Sequence, residues 1–260
     1  MKTLKWFGFF TLLLVSASFI SCEKVIDVDL NSDDPKVVIE GTFTAGETTH
    51  NVLITRTMNF DESGSYPTVD NAVVSVTDNL GNAQVLTFVG NGNYQTTGYP
   101  VIEGRTYTLT VVADGKTFTA QSTAPGQVPL DNLFVLSFEF GADTINSIVP
   151  LRMDPAGVKN FYQFNLFDNG KRLKGIYLQN DAFTDGIQIQ EPIFDNDGAY
   201  QSGDTAFVEM FIIDEPVYNY FFALLQNQTA TPANPTSNFS GGCLGYFSAR
   251  SKDTASVIIP

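Results

Sequence analysis

Histidine is almost missing from this chain: His50 is the single one in 260 residues. Nucleophilic catalysis by a serine–histidine or cysteine–histidine pair therefore has one base to draw on. No G-x-S-x-G, no H-E-x-x-H and no phosphate-cradling glycine loop occurs, and no His/Cys group has metal-ligand spacing. His50 lies among Thr48, Thr49 and Asn51 where a strand pattern begins, so an exposed edge position is expected. Cysteine is nearly as scarce. Cys22 and Cys243 are the whole supply, and Cys243, between Gly241-Gly242 and Leu244-Gly245, is expected to be a small buried apolar residue. Basic side chains are few as well, 14 Lys+Arg against 28 Asp+Glu, for a formal net charge of −14. That balance repels nucleic acid phosphate and excludes a nucleic-acid partner. The acids are scattered, as on a solvated acidic surface.

What is present begins at the N-terminus. Lys2 and Lys5 precede an apolar run from Trp6 to Phe19. At roughly fifteen apolar residues it has the length of a secretory signal and falls short of the ~20 that a spanning helix needs. It closes on Phe19-Ile20-Ser21-Cys22, which resembles a bacterial lipobox, so residues 1–21 are expected to be a lipoprotein signal peptide and Cys22 the lipidated first residue. Loss of Lys2 and Lys5 takes the net charge from −14 to −16. Acyl chains contribute about 0.8 kcal/mol per buried CH₂, enough for two or three of them to hold a folded domain at a membrane. Residues 22–35 are polar and acidic, a tether. Cys22-Glu23-Lys24 does not decide between the periplasmic and the cell-surface side.

From Lys36 the pattern is β. Lys36–Thr44, Asn51–Thr57, Ala72–Asp78, Gln84–Val89, Thr106–Ala113 and Lys116–Ser122 are rich in Val, Ile, Thr, Tyr and Phe, with turn residues between them. Asp114-Gly115 reads as a two-residue hairpin turn. Six or seven strands in about 90 residues predict an immunoglobulin- or fibronectin-like sandwich over 36–124. Tyr107 fits either a corner tyrosine or a plain core aromatic. Ala124 to Pro129 carries two prolines and a glycine, the best boundary. A second β-rich domain is expected over 130–260, with strands at Leu133–Phe140, Ser147–Met153, Phe161–Phe167, Leu173–Leu178, Phe207–Ile213, Leu244–Ala249 and Ser256–Ile259. Asp214 and Pro216 predict a helix over 215–228 whose face of Val217, Phe221, Leu224 and Leu225 packs on a sheet. Gln228 to Gly242 is too long for a simple connector.

Cys22-Glu23-Lys24-Val25-Ile26-Asp27-Val28-Asp29-Leu30, Pro35-Lys36-Val37-Val38-Ile39-Glu40-Gly41 and the stretch from Asn234 to Ala249 together resemble an uncharacterised Bacteroidetes outer-membrane lipoprotein family, domain of unknown function 4249. The resemblance implies a mainly β, two-part lipoprotein of the outer membrane with no known activity, associated with TonB-dependent transporters. Asp143-Thr144-Ile145, Asp204-Thr205-Ala206 and Asp253-Thr254-Ala255 resemble Bacteroidetes O-glycosylation sites, which makes Thr144, Thr205 and Thr254 the candidate acceptors.

Asp195-Asn196-Asp197-Gly198, with Asp204 beyond, is a fragment of a calcium loop without the full spacing or the distal glutamate. An Asx-rich turn accounts for it more simply, yet Asp195, Asp197 and Asp204 are the first place to look for a cation. No cofactor is expected. The expected function is that of a lipid-anchored envelope accessory acting through protein–protein contact, with a TonB-dependent transporter or another outer-membrane complex as partner class. A surface glycan or peptide binder using exposed Tyr and Phe is the alternative, and a hydrolase using two distant carboxylates the third.

Overall fold

The computed structural model describes residues 34–59, 62–141, 143–194, 200–227 and 234–260. The expected signal peptide, Cys22, the tether up to residue 33, Asp195, Asp197 and residues 228–233 of the long polar loop lie outside the described residues. The chain is mainly β, a set of packed sheets with one helix among the described residues.

The first sandwich is built from β1 (Val37–Thr44), β2 (Asn51–Arg56), β3 (Val73–Asp78), β4 (Ala83–Val85), β5 (Thr87–Gly90), β6 (Asn93–Gln95), β7 (Thr106–Ala113) and β8 (Lys116–Thr123). Period-two alternation sets its inner faces. Val37, Ile39 and Phe43 of β1 and Val52 and Ile54 of β2 are buried on one sheet. Val74, Val76, Tyr107, Leu109, Val111 and Phe118 are buried on the facing one. Each such aliphatic or aromatic side chain contributes about 1.5–3 kcal/mol by leaving water. The β7–β8 turn falls at Asp114-Gly115, with φ of 52° and 70°, the double positive φ of a type I′ hairpin. Tyr107 is a corner tyrosine: its hydroxyl accepts from the Ile102 N–H at 2.7 Å, a bond back to upstream backbone.

The second half contains β9 (Asn132–Phe140), β10 (Asp143–Met153), β11 (Phe161–Asp168), β12 (Lys171–Arg172), β13 (Tyr177–Asn180), β14 (Gln188–Ile189) and β15 (Thr205–Ile213). Helix α1 (Glu215–Asn227) follows, then β16 (Phe239–Ser240) and β17 (Leu244–Ile258). The expected strand Leu173–Leu178 is absent as such; β12 and β13 flank an extended break at 173–176. The two short strands expected at the end of the chain are instead one, of 15 residues.

That strand organises the molecule. Leu244 to Arg250 pairs in parallel with Val38 to Thr44 of β1, and Ser251 to Ile258 pairs antiparallel with Ile212 to Thr205 of β15. The result is one sheet in the order β12-β11-β15-β17-β1-β2-β6-β5, with β13 also on β11. The hydrophobic cores divide where the proline-rich stretch was read: Ala124 belongs to the first, Val128 to the second. Phe239, Cys243, Phe247 and Ala249, sequence neighbours of the second half, nevertheless sit in the first core. Pro35 to Pro260 forms one compact unit.

Helix α1 starts at Asp214, whose Oδ1 accepts the Val217 N–H at 3.2 Å. Its other oxygen accepts the Ser122 hydroxyl at 2.7 Å and the Thr123 N–H at 3.2 Å, so one carboxylate ties the helix to β8. Burial raises the Asp214 pKa above the usual carboxylate value, and these bonds partly counter it. Val217 and Tyr218 pack with Phe161, Leu178, Phe211, Phe221 and Tyr246 on the outer face of the long sheet. Leu225, expected on the packed face, is exposed.

Candidate functional site

His50 does not occupy an exposed edge. It is 2 % exposed, stacked on Phe43 at a centroid distance of 4.8 Å. Its Nδ1 accepts the Thr44 N–H at 3.3 Å and its Nε2 faces the Tyr99 carbonyl at 3.0 Å, so both ring nitrogens are engaged in the neutral Nε2–H form. The run Thr48-Thr49-His50-Asn51 looks polar, but the ring turns inward because two backbone groups need partners there. Burial lowers its pKa from the ordinary histidine value. The unfolded chain therefore binds the proton first, and stability falls as pH drops below about 6.5 toward the lowered folded value. With one histidine in the chain, that step is expected in urea melts between pH 7 and 5.5 and absent in His50→Gln. An imidazole that titrates at its ordinary pH in the folded protein, followed by NMR, contradicts it.

Cys243 is buried, and burial pushes its thiol up to about 11. It stays protonated and unreactive. Asp204 is taken up by a turn: it accepts the Gln201 N–H and the Asn169 side-chain amide, each at 2.7 Å, and these bonds lower its pKa. Its proposed companions Asp195 and Asp197 lie outside the described residues, as does Cys22. Thr144, Thr205 and Thr254 are exposed strand residues.

The acids that do converge were not singled out by any motif. Asp154, Asp181 and Asp185 each bring a carboxylate oxygen within 4.8 Å of the other two. Asp154 follows β10, and Asp181 and Asp185 stand in the loop after β13. Asp154 accepts the Tyr162 hydroxyl at 2.6 Å and the Gly186 N–H at 3.3 Å. Asp181 accepts the Asn160 N–H at 2.7 Å, and Asp185 accepts the Gly157 N–H at 2.7 Å. Asp154 and Asp181 are buried and Asp185 is exposed. Asp181, Asp185, Gly157, Lys159, Phe161 and Glu215 line a cleft of about 520 Å³ at the start of the helix. Phe183, 98 % exposed, stands in the loop beside it. In the sequence only the loop Asp181-Ala182-Phe183-Thr184-Asp185-Gly186 hints at this, and its partner Asp154 comes from another turn.

Behind the cluster lies Arg152, 0 % exposed. Its guanidinium carbon stands 4.1 Å from the Tyr162 ring centroid and 5.5 Å from that of Phe164. Nη2 donates to the Gln179 side-chain oxygen at 2.8 Å, while Nε has no partner. Burial lowers the Arg152 pKa, and burial together with the bond to Asp154 raises that of Tyr162.

A different surface is apolar. Leu136, Phe138 and Ile145 are exposed toward the free end of the β9–β10 hairpin, where Phe138↔Ile145 is a register pair. Phe194, also exposed, lies 5.6 Å from Phe138 between ring centroids. No helix among the described residues is long and apolar enough to cross a membrane.

A family model described as a domain of unknown function, DUF4249, matches residues 23–256. No curated protein matches. Among solved structures, a two-domain fibronectin type-III segment from chicken tenascin is 12% identical, covering 87% of this chain and 99% of its own, with a TM-score of 0.25. A DUF4785 family protein from Legionella pneumophila is 11% identical, covering 68% of this chain and 52% of its own, with a TM-score of 0.28. The chain thus spans about half the length of the Legionella protein.

Proposed function

From a chain that belongs to the DUF4249 family, we propose a lipid-anchored accessory protein of the bacterial outer membrane that works by contact with a protein partner. The apolar end of the β9–β10 hairpin carries this reading. Leu136, Phe138, Ile145 and Phe194 present adjoining aliphatic and aromatic surface to water on an otherwise acidic chain. Patches of this kind mark sites of association. The anchor is supported by Lys2 and Lys5, the apolar run and Ser21-Cys22, which fit an acyl tether on the Bacteroidetes pattern. A TonB-dependent transporter or a neighbouring envelope complex is the partner class.

Two variants separate anchor from contact. Cys22→Ala is expected to move the protein from the membrane fraction to the soluble one. Phe138→Asp is expected to leave it in the membrane and to remove the partner that co-purifies with the wild type from detergent extracts. Recovery of wild-type protein alone, or of the same partner with Phe138→Asp, overturns the reading.

A further inference from the structure

We propose that Asp154, Asp181 and Asp185, with the side-chain oxygen of Asn160, form a binding site for a divalent cation, calcium in preference to magnesium. Three carboxylates within 4.8 Å repel one another, and two of them are buried. The ion pairs found among the described residues, Arg56–Asp114, Arg105–Asp78 and Lys252–Glu47, lie elsewhere.

Asn160 supplies the independent observation. It is 3 % exposed, and its Oδ1 has no hydrogen-bond partner, a costly arrangement for a buried amide. The β11–β13 ladder pairs Phe161 with Asn180, and one step further Asn160 and Asp181 continue it, the Asp181 N–H bonding the Asn160 carbonyl at 3.3 Å. Residues opposed in an antiparallel ladder project from the same face, and the Asp181 carboxylate also accepts the Asn160 N–H at 2.7 Å, so the Asn160 and Asp181 side chains leave the ladder on one side. Tyr162, two residues on and on the same side of β11, reaches Asp154 with its hydroxyl. The Thr184 hydroxyl, buried in the loop between Asp181 and Asp185, also has no partner. Oxygen is thus the only donor type that the cluster offers, which suits a hard cation.

The ligand set selects among hard cations. Calcium takes about six to eight oxygens in a flexible geometry, whereas magnesium demands a near-ideal octahedron and keeps several of its waters. Three carboxylates, two of them buried, beside a buried amide offer protein oxygens in place of water, which suits the larger ion. Acidic calcium sites of external modules bind with Kd of about 10⁻⁴–10⁻³ M.

The test uses full-length protein purified in detergent, stripped with EDTA and titrated with CaCl₂ or MgCl₂. Calcium at about a hundredfold over its Kd is expected to raise the melting temperature by at least about 5 °C, and magnesium by clearly less. Asp181→Asn is expected to melt at or above the stripped wild type, because repulsion is relieved, and to have lost the calcium response. Asp185→Asn, at the exposed member, keeps a side-chain oxygen for the Gly157 N–H and is expected to show the same loss with the stripped stability of the wild type. A wild type that calcium does not stabilise, or a response retained in Asp185→Asn and Asp181→Asn, overturns the site.

Discussion

Gly245→Ala is expected to be among the most damaging single substitutions in this protein, costing about 4–5 kcal/mol or more. Gly245 has φ of 95°, a backbone region that side chains disfavour. More decisively, a Cβ there would collide with the carbonyl oxygen of Ile39 and lie 2.7 Å and 2.9 Å from its carbonyl carbon and nitrogen. Ile39 is the register partner of Gly245 in the parallel pair of β1 and β17. No side chain can rotate to relieve this contact, because the obstacle is backbone. Gly242→Ala is the control: φ is 85°, but nothing lies within 4 Å of the added atom. It is expected to cost only the backbone strain, about 1–2 kcal/mol. Urea midpoints and soluble yield measure both. Equal losses in the two variants contradict the account.

Arg152→Ala is expected to cost about 3–5 kcal/mol, because it leaves the space over Tyr162 and Phe164 empty and takes the donor from the Gln179 side-chain oxygen. Arg152→Met keeps the volume and removes the unpartnered Nε with the charge. It is expected to fall within about 1–2 kcal/mol of wild type, since a well-packed apolar replacement of a buried ion is often neutral. The contrast between the two, read as the shift in the denaturant midpoint, separates packing from charge. If methionine is as harmful as alanine, the guanidinium itself is what the core requires.

The local part of this architecture was legible in the chain. Strands β1, β2, β3, β7 and β8 follow the alternation of Val, Ile, Thr and Tyr closely, because each has one buried and one wetter face, whereas the expected strand Gln84–Val89 is split into β4 and β5 on different sheets, neither with a buried residue. Asp114-Gly115 and the helix at Glu215 were legible for the same reason, a short-range constraint with few chemical solutions. Pairings over long separations were not. Nothing in Leu244-Gly245-Tyr246-Phe247 announces that it lies parallel to β1. His50 misled because polar neighbours say nothing about a ring that serves Thr44 and Tyr99. The acidic cluster was hidden similarly. Asp195-Asn196-Asp197-Gly198 resembled a known loop, whereas Asp154, Asp181 and Asp185 share no contiguous pattern and meet because β10 pairs with β14, the strand that ends the loop after β13.

The pairing of Val38 with Leu244 also sets a schedule for the chain's birth. A ribosome synthesises β1 more than 200 residues before its parallel neighbour, at about 5–20 residues per second. Until β17 arrives, β1 has an open edge, and the first core lacks Phe239, Phe247 and Ala249. Contacts so distant in sequence slow closure. A half-made sandwich that cannot lock remains threadable until its last strand is available.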